Sequence, residues 1–256
     1  VRNFKLIVQY DGAGFSGFEL QPNKRTVRAE LGKALFSLFN YKVKLINSSR
    51  TDAGVHAIHL VVNFEVETKI PTAKVLAALN SILPEDIRIV KIENRKSKIG
   101  NFHARYDAKS KEYEYLIYNG LVVPPHIRKI VWQVTPKLDL KKMKQGAKYL
   151  IGKHEFSSFC ATGGDDKNFV RIIHSLDIGN WKLDIWHKGG VPVISIRVRG
   201  SGFLYKMVRN IVGTLVEVGL GKRQPNDVKA ILNAKSRKKA GRCAPGEGLC
   251  LIDVAY

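Results

Sequence analysis

Acid is what this chain has little of: 22 Asp and Glu stand against 43 Lys and Arg, a formal charge of +21 over 256 residues. Such an imbalance points to a polyanionic partner, nucleic acid first. An anionic membrane surface is the rival reading, and a Lys-rich surface that only aids solubility is the plain one. Long apolar runs are missing as well. None approaches the about 18 residues that cross a bilayer, and the N-terminal residues lack the basic-then-apolar pattern of a secretory leader. No membrane partner is expected. Cysteine is limited to Cys160, Cys243 and Cys250. Three is an odd number and no two are spaced C-x-x-C, which argues against a disulfide framework or a zinc site and for a reducing compartment, the cytoplasm. His56 and His59 fall on turn and strand sequence, where their spacing does not aim both rings at one ion. There is no H-E-x-x-H string and no Ser-His-Asp order, so no metal is expected.

What remains is an ordinary globular composition, 45% hydrophobic. At about 150 residues per domain, one or two domains are expected. Phe4, Leu6, Val8 and Tyr10 alternate with polar or smaller residues and read as a strand. Val27, Leu31, Ala34, Leu35 and Leu38 follow at helical spacing behind Thr26, a plausible N-cap. Residues 43–46 are strand-like, 58–66 alternate as a strand, a helix over 72–83 stops at Pro84, and 87–92 read as a strand. This first half is βαββαβ-like, an α+β arrangement with helices on one face of an antiparallel sheet. In the second half Tyr113, Tyr115 and Ile117 mark a strand, and Leu140 to Ile151 a helix. Strands are expected over 170–178, 181–186 and 193–199, a long helix over 203–218, a short one over 227–232 and a closing strand over 249–254. The polar segment 94–100 suggests a boundary near Asn101, giving domains 1–101 and 102–256.

Several motifs invite a function. Gly12-Ala13-Gly14-Phe15-Ser16-Gly17 has the G-x-G-x-x-G spacing, but no helix opens on the glycines and no acid follows at the ribose-binding distance. A glycine turn that lets another backbone segment approach fits better. Phe102-His103-Ala104-Arg105-Tyr106 and Lys109 to Tyr115 interleave cations with rings, which suits phosphates and unpaired bases. Equally, Tyr113 and Tyr115 lie on one strand face and suit a core. Lys235, Arg237, Lys238, Lys239 and Arg242 read as a solvated loop or as a phosphate-contacting one. Arg209 sits among Met207, Val208, Ile211 and Val212, where a cation needs a partner; Asp52 is the expected one, and a surface-facing Arg209 is the alternative. The most informative string is Arg50-Thr51-Asp52-Ala53-Gly54-Val55-His56-Ala57, one carboxylate among small residues whose backbone can come close to a ligand.

Together these motifs are similar to the tRNA pseudouridine synthase A family. The match includes Tyr10-Asp11-Gly12 with Phe15, Gly17 and Gln21, and the Arg50 to His56 string. It continues through Leu83-Pro84, Phe102 to Arg105, Lys111, Tyr113, Tyr115, Phe156, Ser158-Phe159, Phe203, Met207 to Gly213 and Gly248-Leu249. The resemblance implies two α+β subdomains of RNA-recognition-like (ferredoxin-like) topology, their antiparallel sheets joined across a central active-site cleft in the pseudouridine synthase fold, usually as a homodimer. It implies isomerisation of uridine to pseudouridine at positions 38 to 40 of the tRNA anticodon arm, with no cofactor. By the same resemblance Asp52 is the nucleophile and Arg50 helps hold the flipped base out. Tyr113 packs on the target uracil and helps remove the C5 proton, Arg209 pairs with Asp52, and Leu249 is an apolar wall. Phe102, His103, Ala104, Arg105, Tyr106 and the loop 163–167 with Lys167 resemble RNA-contacting segments. Three positions depart from the pattern: Ser49 where Gly is usual, and Phe18-Glu19 where Trp-Gln is usual. Glu19 puts negative charge near an RNA path and is assigned no RNA contact. A non-catalytic RNA-binding module on the same fold is the alternative, although binding alone gains nothing from a carboxylate facing a polyanion. A two-carboxylate glycosidase would need a second acid beside Asp52, and none presents itself.

Overall fold

Alternation at the N-terminus becomes a strand in the computed structural model, which describes residues 1–95, 102–164, 166–184 and 189–256. β1 (Arg2–Tyr10) buries Phe4, Leu6 and Val8 completely. β3 (His56–Val66) sets Phe64, Val62 and Leu60 directly opposite them in antiparallel register. Each such side chain, removed from water, contributes roughly 1.5–3 kcal/mol, so this pair of strands is the centre of the first core. The described residues form two compact units, Val1–Lys109 with Cys250–Tyr256, and Ser110–Leu249. The boundary expected at Asn101 lies outside the described residues.

In the first unit the strand order is β4 (Ile87–Asn94), β1, β3, β10 (Leu249–Ala255), with the two-residue β2 (Ile46–Asn47) also on β3. β10 runs parallel to β3 and places Cys250 beside His56. α1 (Val27–Phe39) starts at Thr26, whose hydroxyl accepts the Ala29 N–H at 3.3 Å. α2 (Thr72–Ile82) ends where Leu83 turns extended, the backbone region that a following proline enforces. α1 buries Val27, Leu31, Ala34 and Leu35, and Phe39 at its end meets Phe64 at 6.2 Å between ring centroids. The strand expected over 43–46 contracts to Ile46–Asn47. Within β3 the alternation is less clean than the sequence suggests: Val61 and Asn63 are buried too, and Ile58 is half exposed. Residues 102–104 cover part of the other face, where Asn63 donates to the Phe102 carbonyl and accepts the Ala104 N–H.

The second unit orders β5 (Ser110–Tyr118), β9 (Val191–Gly200), β8 (Val170–Leu183) and β7 (Gly152–Glu155), all antiparallel, with β6 (Trp132–Gln133) parallel to β5. Its helices are α3 (Leu140–Ala147), which runs into a 3-10 turn, α4 (Met207–Gly219) and α5 (Asp227–Asn233). Both units are therefore α+β, and the strand pairs within each are antiparallel apart from one parallel pair. Two expectations need correction. The strands read separately at 170–178 and 181–186 are one, because Gly179 and Asn180 keep pairing with Ser195 and Ile194; Trp186 itself lies outside the described residues. The long helix begins at Met207 and not at Phe203, since Lys206 adopts a left-handed φ of 56° that no right-handed helix can run through. β6 and β7 are too short to show a period and were not anticipated.

Candidate active site

The glycine string after β1 stands behind the Asp52 loop. A Cβ on Gly12 would lie 2.1 Å from the Val55 carbonyl oxygen. Gly17 has φ +103°, and a Cβ there would stand 2.8 Å from the Thr51 carbonyl oxygen and 3.2 Å from the Asp52 carbonyl carbon. Only glycine lets these two backbones lie so close. Hydrogen bonds complete the seat. Phe18 N–H donates to the Thr51 carbonyl at 3.0 Å, and Gly54 N–H to Phe15 at 3.3 Å. The Tyr10 and Thr51 hydroxyls share a bond of 2.7 Å, and Gly12 N–H donates to His56 Nδ1 at 3.0 Å. That ring nitrogen also lies 3.2 Å from Asp11 Oδ1, so one edge of His56 is committed to the scaffold. A reverse turn closed by Val55 N–H on the Asp52 carbonyl, 3.2 Å, with Gly54 at φ 77°, carries Asp52 at its head. Asp52 is half-buried and its neighbours Thr51 and Val55 are buried. A carboxylate on backbone pinned at so many points suits covalent or proton-transfer chemistry, which depends on fixed geometry.

Arg50, at the entrance of the same loop, is exposed, and its Nε lies 3.5 Å from Glu19 Oε1. Ser49, buried, leaves its hydroxyl as the buried side-chain oxygen without a hydrogen-bond partner among the described residues.

The remaining residues singled out in the sequence lie in the second unit, apart from the 102–106 segment. Tyr113 is buried on β5, and its ring meets Phe203 edge-on at 5.3 Å. Tyr115, two residues along the same face, is fully buried and its hydroxyl donates to the Pro245 carbonyl at 2.8 Å. Burial, reinforced by the Glu247 carboxylate, pushes the Tyr115 phenol far up, so it stays protonated. The core reading therefore holds for Tyr115. Arg209, half-buried in the first turn of α4, donates from Nε to the Ala244 carbonyl at 2.7 Å. Its neighbour Asn210, which sequence reasoning did not weigh, is fully buried; it donates to the Phe159 carbonyl at 2.7 Å and accepts from Arg237 Nη2 at 2.9 Å. Leu249 is buried at the head of β10.

The RNA-like segment divides by direction. Phe102 packs on Tyr256 with ring centroids 4.9 Å apart, and Ala104 is fully buried, its carbonyl accepting from the Tyr256 hydroxyl. Tyr106 and Arg105 are exposed, and the Tyr106 ring stacks on His103 at 4.2 Å. Lys167 is exposed; Asp165, in the same loop, lies outside the described residues. In the basic loop, Arg237 is tied to Gly241 and Asn210, and Arg242 covers Trp132 at 4.5 Å, whereas Lys238 and Lys239 face solvent. Among the described residues no group of three His, Cys, Asp or Glu is placed to hold a metal ion. Among the described residues no helix is long and apolar enough to cross a membrane.

A family model described as tRNA pseudouridine synthase matches residues 6–107 and 147–256. "tRNA pseudouridine synthase A" of Thermoanaerobacter sp. (strain X514) is 42% identical over 256 residues, covering 100% of both chains. Proteins of the same name from Bacillus licheniformis and Bacillus subtilis are 42% and 41% identical, each with 98% of both chains covered. A solved Cbf5-Nop10-Gar1 complex aligns with 14% identity and a TM-score of 0.33, covering 84% of this chain and 53% of that one. So distant a likeness adds nothing to what the sequence relatives establish.

Proposed function

The chain belongs to the tRNA pseudouridine synthase family, and from that premise we infer that it isomerises uridine to pseudouridine in tRNA, at positions 38 to 40 of the anticodon arm. The observation that carries the reading is the Asp52 loop: one carboxylate on a turn whose backbone is held by the glycine string behind it. The reaction breaks the N1–C1′ bond of a uridine, turns the uracil and rejoins it through C5. The C5 proton is lost and N1 gains one, so no atoms are added and no oxidant or cofactor is consumed.

A stacked base cannot be reached, so the nucleotide is flipped out at a cost of a few kcal/mol. Arg50, exposed at the loop entrance, holds the base out. Asp52 is the nucleophile and divides one difficult step into easier ones. Tyr113, steadied by Phe203, packs on the uracil and its hydroxyl helps take the C5 proton; Arg209 is the cation that the family resemblance pairs with Asp52; and Leu249 walls the pocket. The charge of +21 draws in the tRNA, and His103, Arg105, Tyr106 and Lys167 contact it, with Phe102 and Ala104 as their anchors. The working form is a cytoplasmic homodimer.

The test is incubation of the purified chain with unmodified tRNA and base-resolution mapping of pseudouridine. The expected product lies at positions 38 to 40. Asp52→Ala abolishes it and leaves tRNA affinity within about threefold, because phosphate contacts dominate binding. Full activity in Asp52→Ala overturns the mechanism, and product elsewhere in the tRNA overturns the site choice.

A further inference from the structure

Position 19 carries an acid in a chain poor in acids, at a place where an RNA-binding surface has no evident use for one. The fold gives it a use. Glu19 presents both carboxylate oxygens to Arg28 Nη1, at 3.2 and 3.1 Å, and its Oε1 also lies 3.5 Å from Arg50 Nε. Arg28 stands in the first turn of α1, where its own N–H is fixed on the Phe18 carbonyl at 2.9 Å. It is held independently by Asn47 Oδ1 at 3.1 Å and by the Leu45 carbonyl at 3.0 Å. Asn47 donates in turn to the Ser49 carbonyl at 3.0 Å, and Ser49 precedes Arg50. The residues close a ring, Arg28 to Asn47 to Ser49 to Arg50 to Glu19 and back to Arg28. The Arg28 and Glu19 side chains are 25% and 32% exposed, the Arg50 side chain 58%. The ring thus joins a long, exposed side chain, through Glu19 on a loop, to Arg28, which α1 and β2 hold in place.

We propose that Glu19 is a positioning residue that acts through Arg50, holding its side chain at the entrance of the Asp52 loop before tRNA arrives. This rests on the reading that Arg50 keeps the flipped base out. A long side chain free to rotate must give up its conformational freedom when it enters a base stack; one already restrained by a carboxylate gives up less. The acid also stands against the polyanion, so it is expected to act on the rate of the chemical sequence and not on affinity.

The test is a double-mutant cycle of Glu19→Gln and Arg50→Ala, read as single-turnover pseudouridine formation at saturating enzyme, with tRNA Kd and thermal midpoint measured for each variant. Glu19→Gln retains the shape and an oxygen for Arg28, which keeps its other two acceptors, so the fold is expected to survive. In the Arg50 background the rate falls about 2- to 5-fold, the range set by a partly exposed ion pair, while Kd stays equal or tightens. In the Arg50→Ala background Glu19→Gln has no further effect. An equal loss in both backgrounds would mean that Glu19 acts through Arg28 on the fold, and would overturn the proposal. So would no loss in either background while Arg50→Ala alone is slow. Arg50→Ala turning over at the parental rate removes the reading of Arg50 itself, and the proposal with it.

Discussion

Gly17→Ala should damage the Asp52 loop from behind, without touching any group that bears chemistry. Two effects add at this position. A non-glycine residue at positive φ is strained by about 1–3 kcal/mol. The new methyl, 2.8 Å from the Thr51 carbonyl oxygen and 3.2 Å from the Asp52 carbonyl carbon, overpacks the seat for about 1–3 kcal/mol more. Gly221 separates them, because it also has positive φ, +72°, but nothing within 4 Å of a Cβ. Gly221→Ala therefore reports the strain alone. Gly17→Ala is expected to melt a further 2–12 °C or so lower, at about 2–4 °C per kcal/mol for a chain of this size. The displaced loop carries Asp52 with it, and an ångström of misplacement slows a positioned reaction by about 100-fold. Single-turnover pseudouridine formation should fall toward that limit, with tRNA affinity almost unchanged. Equal melting of the two variants, with Gly17→Ala at the parental rate, would refute the idea that the glycine string exists to seat the loop.

The two tyrosines of β5 give a second separation. Tyr115→Phe leaves the Pro245 carbonyl without its buried donor and should lower stability by about 1–3 kcal/mol while the rate stays parental; Tyr113→Phe, which removes the hydroxyl that helps take the C5 proton, should slow the reaction, and denaturation curves with single-turnover rates decide. A third expectation concerns acid. Arg25 grips Asp86 through two bonds, 2.6 and 2.8 Å, and holds its carboxyl below the usual aspartate range. A depressed pKa contributes stability above the unfolded value, 3.8, which is lost as pH falls through the folded one. Asp86→Asn should therefore cost about 0.2–1 kcal/mol at neutral pH, small because both side chains are partly exposed, and the gap should close below pH 3.8. Urea unfolding of both proteins from pH 7 to pH 3 measures it, and a constant gap would contradict the assignment.

Much of the fold was legible because its signals are local. Thr26 caps α1 as its side chain and spacing suggest, Pro84 stops α2, and the alternations along β1 and β9 reach the residues that pair. Where local signals failed, a tertiary neighbour had changed the outcome. Asn63 is buried because residues 102–104 cover the face that alternation assigns to solvent there. The helix expected from Phe203 starts late because Lys206 turns left-handed, which leaves Phe203 to meet Tyr113. Five cations within eight residues look like one phosphate-binding loop, yet Arg237 and Arg242 are occupied by Asn210, Gly241 and Trp132.

By itself the sequence determined the charge, the α+β alternation and the string around Asp52, since composition, period and motif are properties of neighbouring residues. It did not determine what stands behind that string. The glycines of 12–17 read as a turn that lets another backbone segment approach, but only the folded chain shows that segment to be 51–55, and Glu19 looks like an isolated oddity until Arg28 and Arg50 close around it. Likewise β10, Leu249–Ala255, pairs beside His56 of the first unit. Those decisions belong to packing: a residue's period tells which side it buries, and only the folded backbone tells against whom.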